Sequence, residues 1–351
     1  MSEAAAAWLR PRRRAGRTAK SLLAFVAALA TTLLGLLVAT FILGRVIPHD
    51  PVVAVIGDNA TPEAYAAMRS KLGLDQPLLT QLGIYLDNVA HGDLGISLVT
   101  SRPVAEDLRA RMPATMELAT LATIFGALVG IPAGVLAAAR HGRLTDQLVR
   151  VAALLGYSVP VFWLGLLFLL VFYLKLDLLP GPGRISVWNQ GIVPTVTGSL
   201  LVDSLLAGET DVFWDAAAHL VMPVTILGLI AVAYICRMTR GFMLYQLKQE
   251  YVLTATVKGA GRLRILWNHA FRNTLVQVVT IVALNSGLAL EGAVLTEAVF
   301  DWPGIGSYAT EALFRADMNG VLGVTLLIGV VFVIINALTD LAYRFLDPRV
   351  A

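Results

Sequence analysis

The sequence predicts an all-α integral membrane protein with about six transmembrane helices and a small extracytoplasmic domain between the first two. Three observations carry that prediction. Of 351 residues, 57% are hydrophobic and only 15% charged, whereas soluble domains carry about 25% charged residues. Mean hydropathy is +0.73. The apolar residues are gathered into long charge-free runs with arginines at their edges, which identifies lipid as the solvent.

The first run, Ser21 to Gly44, follows a cytoplasmic basic N-terminus (1–20) holding Arg10, Arg12, Arg13, Arg14, Arg17 and Lys20. It is too long for the 7–15 residue core of a signal peptide and long enough to span a bilayer. It reads as a retained signal anchor, transmembrane helix one (21–47). Residues 48–112 mix Pro, Gly, Asp and Arg with short apolar patches and read as the extracytoplasmic domain. A core of five further helices is expected over 113–345. The second helix begins near Pro113, since proline suits a first turn, and runs to Ala139. Arg140-His141-Gly142-Arg143 makes a short basic turn. Helix three runs from Asp146 to Leu174, kinked at Pro160. An external segment with Asp203, Glu209, Asp211 and Asp215 follows. Helix four covers His219 to Met238, and a basic inner segment, 241–272, leads to helix five, Asn273 to Val299. Helix six covers Gly320 to Leu341, and 346–351 is a cytoplasmic C-terminus.

Basic residues at both termini and in both short inner loops place these on the cytoplasmic side. That grouping explains the pI of 9.1 without nucleic acid. The single cysteine, Cys236, lies in an apolar run and has no intramolecular disulfide partner. The five histidines lack metal-ligand spacing. No nucleophile–base arrangement and no Gly-x-x-x-x-Gly-Lys-[Ser/Thr] phosphate loop is present. No catalytic, cofactor-binding or metal-binding residue is assigned, so any ATP hydrolysis belongs to another polypeptide.

The inner segment holds Glu250-Tyr251-Val252-Leu253-Thr254-Ala255-Thr256-Val257-Lys258-Gly259, a moderately amphipathic helix with a glycine where a C-cap is expected. A short helix between two spans is placed to be pushed by a cytoplasmic partner. An ordinary interfacial helix with snorkelling lysines fits the same pattern. In the membrane, Asn285 and Glu291 on helix five stand out, because an intramembrane carboxylate is costly. They are candidates for a translocation pathway; the alternative is that Glu291 meets external water or bonds a neighbouring helix. Gly126, Gly130 and Gly134 form overlapping Gly-x-x-x-Gly units that read as close helix packing. Trp163, Trp188, Trp214 and Trp302 read as an aromatic belt.

The 250–259 segment resembles the EAA loop of the permease subunits of binding-protein-dependent ABC importers, in the form typical of the dipeptide, oligopeptide and nickel group. Ile47-Pro48-His49-Asp50-Pro51, Leu72-Gly73-Leu74-Asp75-Gln76-Pro77 and Gly92-Asp93-Leu94-Gly95-Ile96-Ser97 are similar to that group's external signatures. Arg111-Met112-Pro113-Ala114-Thr115-Met116-Glu117-Leu118, Ser158 to Gly165, Glu297 to Gly306 and Leu346-Asp347-Pro348-Arg349 continue the series in the family's order. Leu253-Thr254-Ala255 stands where the strict motif has Glu-Ala-Ala, an ordinary departure in this group. The resemblance implies a type I importer permease fold in the bacterial inner membrane. It implies that Glu250, Thr254, Ala255, Lys258 and Gly259 couple the chain to an ATP-binding-cassette ATPase. It also implies a second homologous permease as a heterodimer partner and an extracytoplasmic substrate-binding protein. Membrane lipid is the remaining partner. Di- or oligopeptides are the expected cargo, with nickel, opines and some sugars as alternatives. The rival from another class is an ion-gradient-driven secondary transporter, which would carry charges deep in several helices. A sensory or scaffold protein is the third reading and would need no polar passage.

Overall fold

The computed structural model describes residues 26–27, 30–42, 52–53, 61–71, 74–315 and 317–346, with only the backbone of Lys71 and of 340–346. The expectations for 1–20, for parts of the first span (21–25, 28–29 and 43–47), for 48–51, for Leu72-Gly73 and for 347–351 lie outside them. The chain divides into two compact units, Met1–His91 and Gly92–Ala351.

In the first unit, α1 (Ala30–Ile42) is apolar and α2 (Pro62–Lys71) and α3 (Leu78–Ala90) are short. The Tyr85 hydroxyl lies 3.1 Å from Thr40 Oγ1 and its ring 5.8 Å from Phe41, which joins α3 to α1.

The second unit is mainly helical, with two irregular stretches, 92–103, which holds an isolated Ile96–Pro103 bridge, and 176–199, broken only by a single 3-10 turn. Helix α4 (Val104–Ala139) starts nine residues before Pro113, the expected start, and carries Pro113 and Pro132 inside it. Pro103 precedes it, Glu106 and Asp107 occupy its first turn, and the acidic side chains suit the positive helix end. These charged turns read as loop in the sequence because they extend beyond the apolar run. Helix three is not one kinked helix but two, α5 (Leu144–Ser158) and α6 (Val161–Lys175), meeting at 97°. Pro160 has no N–H to continue the ladder, and Val159 before it is extended at φ −83°, ψ 128°. After α7 (Leu200–Ala207), α8 (Thr210–Gln246) is longer at both ends than expected. The short α9 (Glu250–Val257) follows. Then come α10 (Arg262–Phe300), which opens with wide π-type turns over Ile265–Phe271, α11 (Ile305–Phe314) and α12 (Met318–Leu346). Among the described residues, four helices, α4, α8, α10 and α12, are long and apolar enough to cross a membrane, or five spans if α5 and α6 form one.

Helices α4 and α8 form the central pair. A Cβ at Gly130 would lie 3.0 Å from Val232 O, and one at Gly134 2.7 Å from Cys236 O. The glycine stripe therefore exists to bring two backbones together, as the Gly-x-x-x-Gly spacing predicts. Leu118, Ala122, Leu220, Leu227 and Ala293 fill the seam among α4, α8 and α10. Trp302 departs from the belt expectation: it is 1% exposed and its indole N–H donates to Ala114 O at 3.0 Å. Trp163, Trp188 and Trp214 are exposed.

Candidate functional site: a capped helix beside the spans

The five expected coupling residues fall on and just after α9. Glu250 opens its first turn, where a carboxylate complements the helix dipole. At the other end Gly259 adopts φ +79°, the left-handed region that favours glycine. Its N–H donates to Thr256 O and the next N–H, of Ala260, to Ala255 O, both at 3.0 Å. That pair of bonds is the Schellman stop. A Cβ at Gly259 would meet nothing within 4 Å. The glycine is needed for its backbone conformation, not for want of space.

The structure divides the other residues expected to couple between two faces. Val252 and Ala255 are buried against the π-turn opening of α10, and the Tyr251 hydroxyl donates to Gln246 Oε1 at 2.9 Å. Thr254 and Lys258 are exposed, and the Thr254 hydroxyl donates to Glu250 O at 3.0 Å. Ala255 therefore anchors the helix, while Thr254 and Lys258 are free to meet a partner. Two residues that sequence reading passed over share the open face: Leu253 is 65% exposed and Val257 81%. Their four-residue spacing was the available signal, since it puts both on one helix side.

Below α9 the chain is tied together. Arg262 Nη2 donates to Ala139 O at 2.6 Å, joining the start of α10 to the end of α4. Asp146, 1% exposed on α5, accepts from Arg240 Nε at 2.6 Å and Nη2 at 2.8 Å on α8, and from Gly142 N at 3.0 Å. A bidentate guanidinium–carboxylate pair of this kind fixes orientation as well as distance.

Asn285 and Glu291 are not brought together. Asn285 is buried and Glu291 exposed on α10. Gly287, four residues before Glu291 and so on the same helix side, is covered: a Cβ there would lie 2.9 Å from the Phe332 ring of α12. The carboxylate that organises this helix is instead Glu297, fully buried. It accepts from the Thr115 hydroxyl at 2.6 Å and from Ser307 N at 2.9 Å, and Thr115 Oγ1 in turn accepts from Ile305 N at 2.9 Å. Gly304 and Gly306 leave no room for a Cβ beside it. Glu117 on α4 accepts from Arg184 Nη2, Ser199 Oγ and Leu201 N, and Arg184 lies 5.4 Å from the Trp302 ring. Outside the spans, Asp203 accepts from the Thr197 hydroxyl and from the N–H groups of Val196, Thr197 and Gly198. Burial pushes its pKa up, but these donors outweigh it and hold the carboxyl below its usual range.

Family models match nearly the whole chain. Residues 130–351 match the binding-protein-dependent transport system inner membrane component, and 20–119 match the N-terminal part of such membrane components. The chain belongs to this family. It is a multi-pass inner-membrane protein, a transport-system membrane component and not a catalytic subunit. The dipeptide transport system permease protein DppB of Escherichia coli K12 is 41% identical over 322 residues, covering 91% of this chain and 95% of that protein. The probable D,D-dipeptide transport system permease protein DdpB of the same strain is 41% identical over 90% of this chain and 93% of its own. The di/tripeptide transport system permease protein DppB of Pseudomonas aeruginosa is 40% identical over 92% and 96%. Among solved structures, a chain of the inward-facing MetNI methionine ABC transporter aligns with TM-score 0.50 at 15% identity. The alignment covers 67% of this chain and 93% of that one. At that identity the likeness concerns the fold alone.

Proposed function

We propose that this chain is a translocation subunit of an ATP-driven importer for dipeptides or short oligopeptides. One observation carries the reading: a short helix beside the spans is closed by a glycine stop and turns Leu253, Thr254, Val257 and Lys258 outward. The names of the relatives supply the cargo class. In this reading α9 seats in a cleft on an ATPase subunit, and nucleotide-driven closure pushes it. Ala255 and Tyr251 pass the push to α8 and α10. A second homologous permease completes the pathway, and a binding protein delivers cargo to the opposite face. Both termini lie in the cytoplasm, and six spans include α1 and the α5–α6 pair. The extracytoplasmic segment reaches from residue 48 to the start of α4. Asn285 and Glu291 remain candidates for the pathway wall, Glu291 by facing the second permease.

The test is uptake of a labelled dipeptide by the purified assembly in proteoliposomes. We expect transport that needs ATP and the ATPase subunit, and Gly259→Asp to abolish it while the chain still inserts. An aspartate at φ +79° strains the stop and places a negative charge at the negative end of α9. Uptake by the chain alone under an ion gradient would overturn the proposal, as would normal transport by the well-inserted variant.

A further inference from the structure

Helix α7 is built inside out. Both of its polar residues, Asp203 and Ser204, are buried, and none of its apolar residues is. The Asp203 carboxylate collects its donors from the turn 196–198, and the Ser204 hydroxyl donates to Leu201 O at 3.0 Å. On the other side Leu205 and Leu206 are 61% and 65% exposed, and Val202 is exposed beside them. A helix on the surface of a soluble protein turns its apolar stripe inward and its polar residues to water. An outer face of the composition seen here belongs against an apolar phase.

The depth of α7 identifies that phase. On α4 no Asp, Glu, Lys or Arg occurs between Glu117 and Arg140, and on α8 none between Asp215 and Arg237. Each run is about 30 Å long, one hydrocarbon thickness, so Glu117 and Asp215 mark one membrane boundary, on the side away from α9. Helix α7 hangs from that level: Ser199 Oγ and Leu201 N donate to Glu117 Oε1 at 2.6 and 3.1 Å. Asp215 holds the 3-10 turn of 187–189 there too, accepting from Ser186 N at 2.9 Å and Asn189 Nδ2 at 2.7 Å. Within that turn Trp188 is 79% exposed, and Trp214, next to Asp215, is exposed as well. Glu209 and Asp211 follow α7, are exposed, and make no ion pair among the described residues. A protein face laid over α7 would have to supply cations for them, whereas a bilayer surface leaves them in the headgroup water.

We infer that α7 is an interfacial anchor. Val202, Leu205 and Leu206 lie in the headgroup–acyl boundary of the leaflet away from α9, with the Trp188 and Trp214 rings beside them. Amphipathic helices and tryptophans hold to this layer by their apolar bodies. The occupant of the face is phospholipid, not the second permease, and the anchor is independent of the cargo and of the ATPase. It pins the irregular stretch 176–199 at the membrane surface.

Carbene labelling of the unmodified protein, purified with whatever subunits accompany it, tests this. One sample sits in nanodiscs containing a phosphatidylcholine with a diazirine in its acyl chain. A second, in ordinary phosphatidylcholine, receives a water-soluble diazirine. Tandem mass spectrometry places the adducts after irradiation. We expect residues 202–206 to carry lipid adducts in severalfold excess over 209–211, and aqueous adducts in the reverse order. Aqueous labelling of 202–206 as strong as that of 209–211 overturns the proposal, because the face is then in water. Labelling of 202–206 by neither reagent overturns it as well, because protein then covers the face.

Discussion

Glu297 and α9 use polar and apolar groups in opposite ways. Around Glu297 each donor that could meet water is turned inward: Thr115 and Ser307 bond the carboxylate, and Trp302 closes the layer with its N–H on Ala114 O. On α9 the backbone is internally capped, yet Leu253 and Val257 stand in the open. A buried network that is fully satisfied fixes one arrangement. A capped helix with an uncovered apolar edge is finished locally and unfinished as a surface. The first region reads as a fixed joint of α4, α10 and α11, the second as a face made to be met.

The strongest way to break the contrast is at the joint. Glu297→Ala leaves the Thr115 hydroxyl and the Ser307 N–H buried without their acceptor, so a loss of about 3–5 kcal/mol is expected. Glu297→Gln keeps an acceptor oxygen and should recover part of it. Thermal unfolding of the detergent-solubilised protein measures both. A variant Glu297→Ala that melts with the wild type would reduce the joint to a surface feature.

The glycine seam comes next. In Gly134→Ala the new methyl would sit 2.7 Å from Cys236 O and 2.8 Å from Thr239 Cβ, one a backbone atom and the other close to it. Helices α4 and α8 must separate slightly, at a cost of about 1–3 kcal/mol. Gly259→Ala adds no clash, only the left-handed backbone penalty of about 1–2 kcal/mol. Comparing the two by thermal unfolding separates crowding from conformation as the reason for a glycine.

How far the sequence reveals these regions follows from the range of the interactions. The stop at Gly259 is local, written in ten consecutive residues, and so it is visible there. The Gly126-Gly130-Gly134 stripe is equally local, because its spacing alone puts the three on one face. The sharp break at Pro160 was visible as a proline, but its 97° angle is not, since the proline rule specifies an interruption and not a direction. Trp302 reads as a belt residue until Ala114, 188 positions away, is known to accept its N–H. Glu297 is legible as part of a motif, yet its partner Thr115 is 182 residues distant. Glu291 drew attention as an intramembrane charge. The fully buried carboxylate six residues later is the one whose environment demands partners.

A smaller effect tests whether charge satisfaction outside the spans follows the same logic as at Glu297. Asp203 has a depressed pKa because its carboxylate collects the Thr197 hydroxyl and three N–H groups. A depressed folded pKa gives stability that is present above the unfolded value and lost as pH falls through the folded one. Asp203→Asn should therefore melt lower than the wild type at about pH 7, by roughly 1–2 kcal/mol. The gap should close as the pH is brought below the ordinary carboxylate range. A gap that stays constant to about pH 3 would mean the side chain acts by shape and not by charge.

The smallest expected change in stability is also the most informative about function. Leu253→Ser with Val257→Ser removes apolar surface that is already in water, so thermal stability should move by no more than about 0.5 kcal/mol. If that edge seats in an ATPase cleft, the same variant loses much of its transport and of its hold on the ATPase subunit, with insertion intact. Two truncated side chains that each buried their apolar surface against a partner cost about 1.5–3 kcal/mol apiece, enough to weaken docking by more than tenfold. Pull-down of the ATPase by wild type and variant reads that loss directly. Equal recovery would show that α9 is an interfacial helix whose apolar edge rests in lipid, and the distinction between joint and docking face would then collapse.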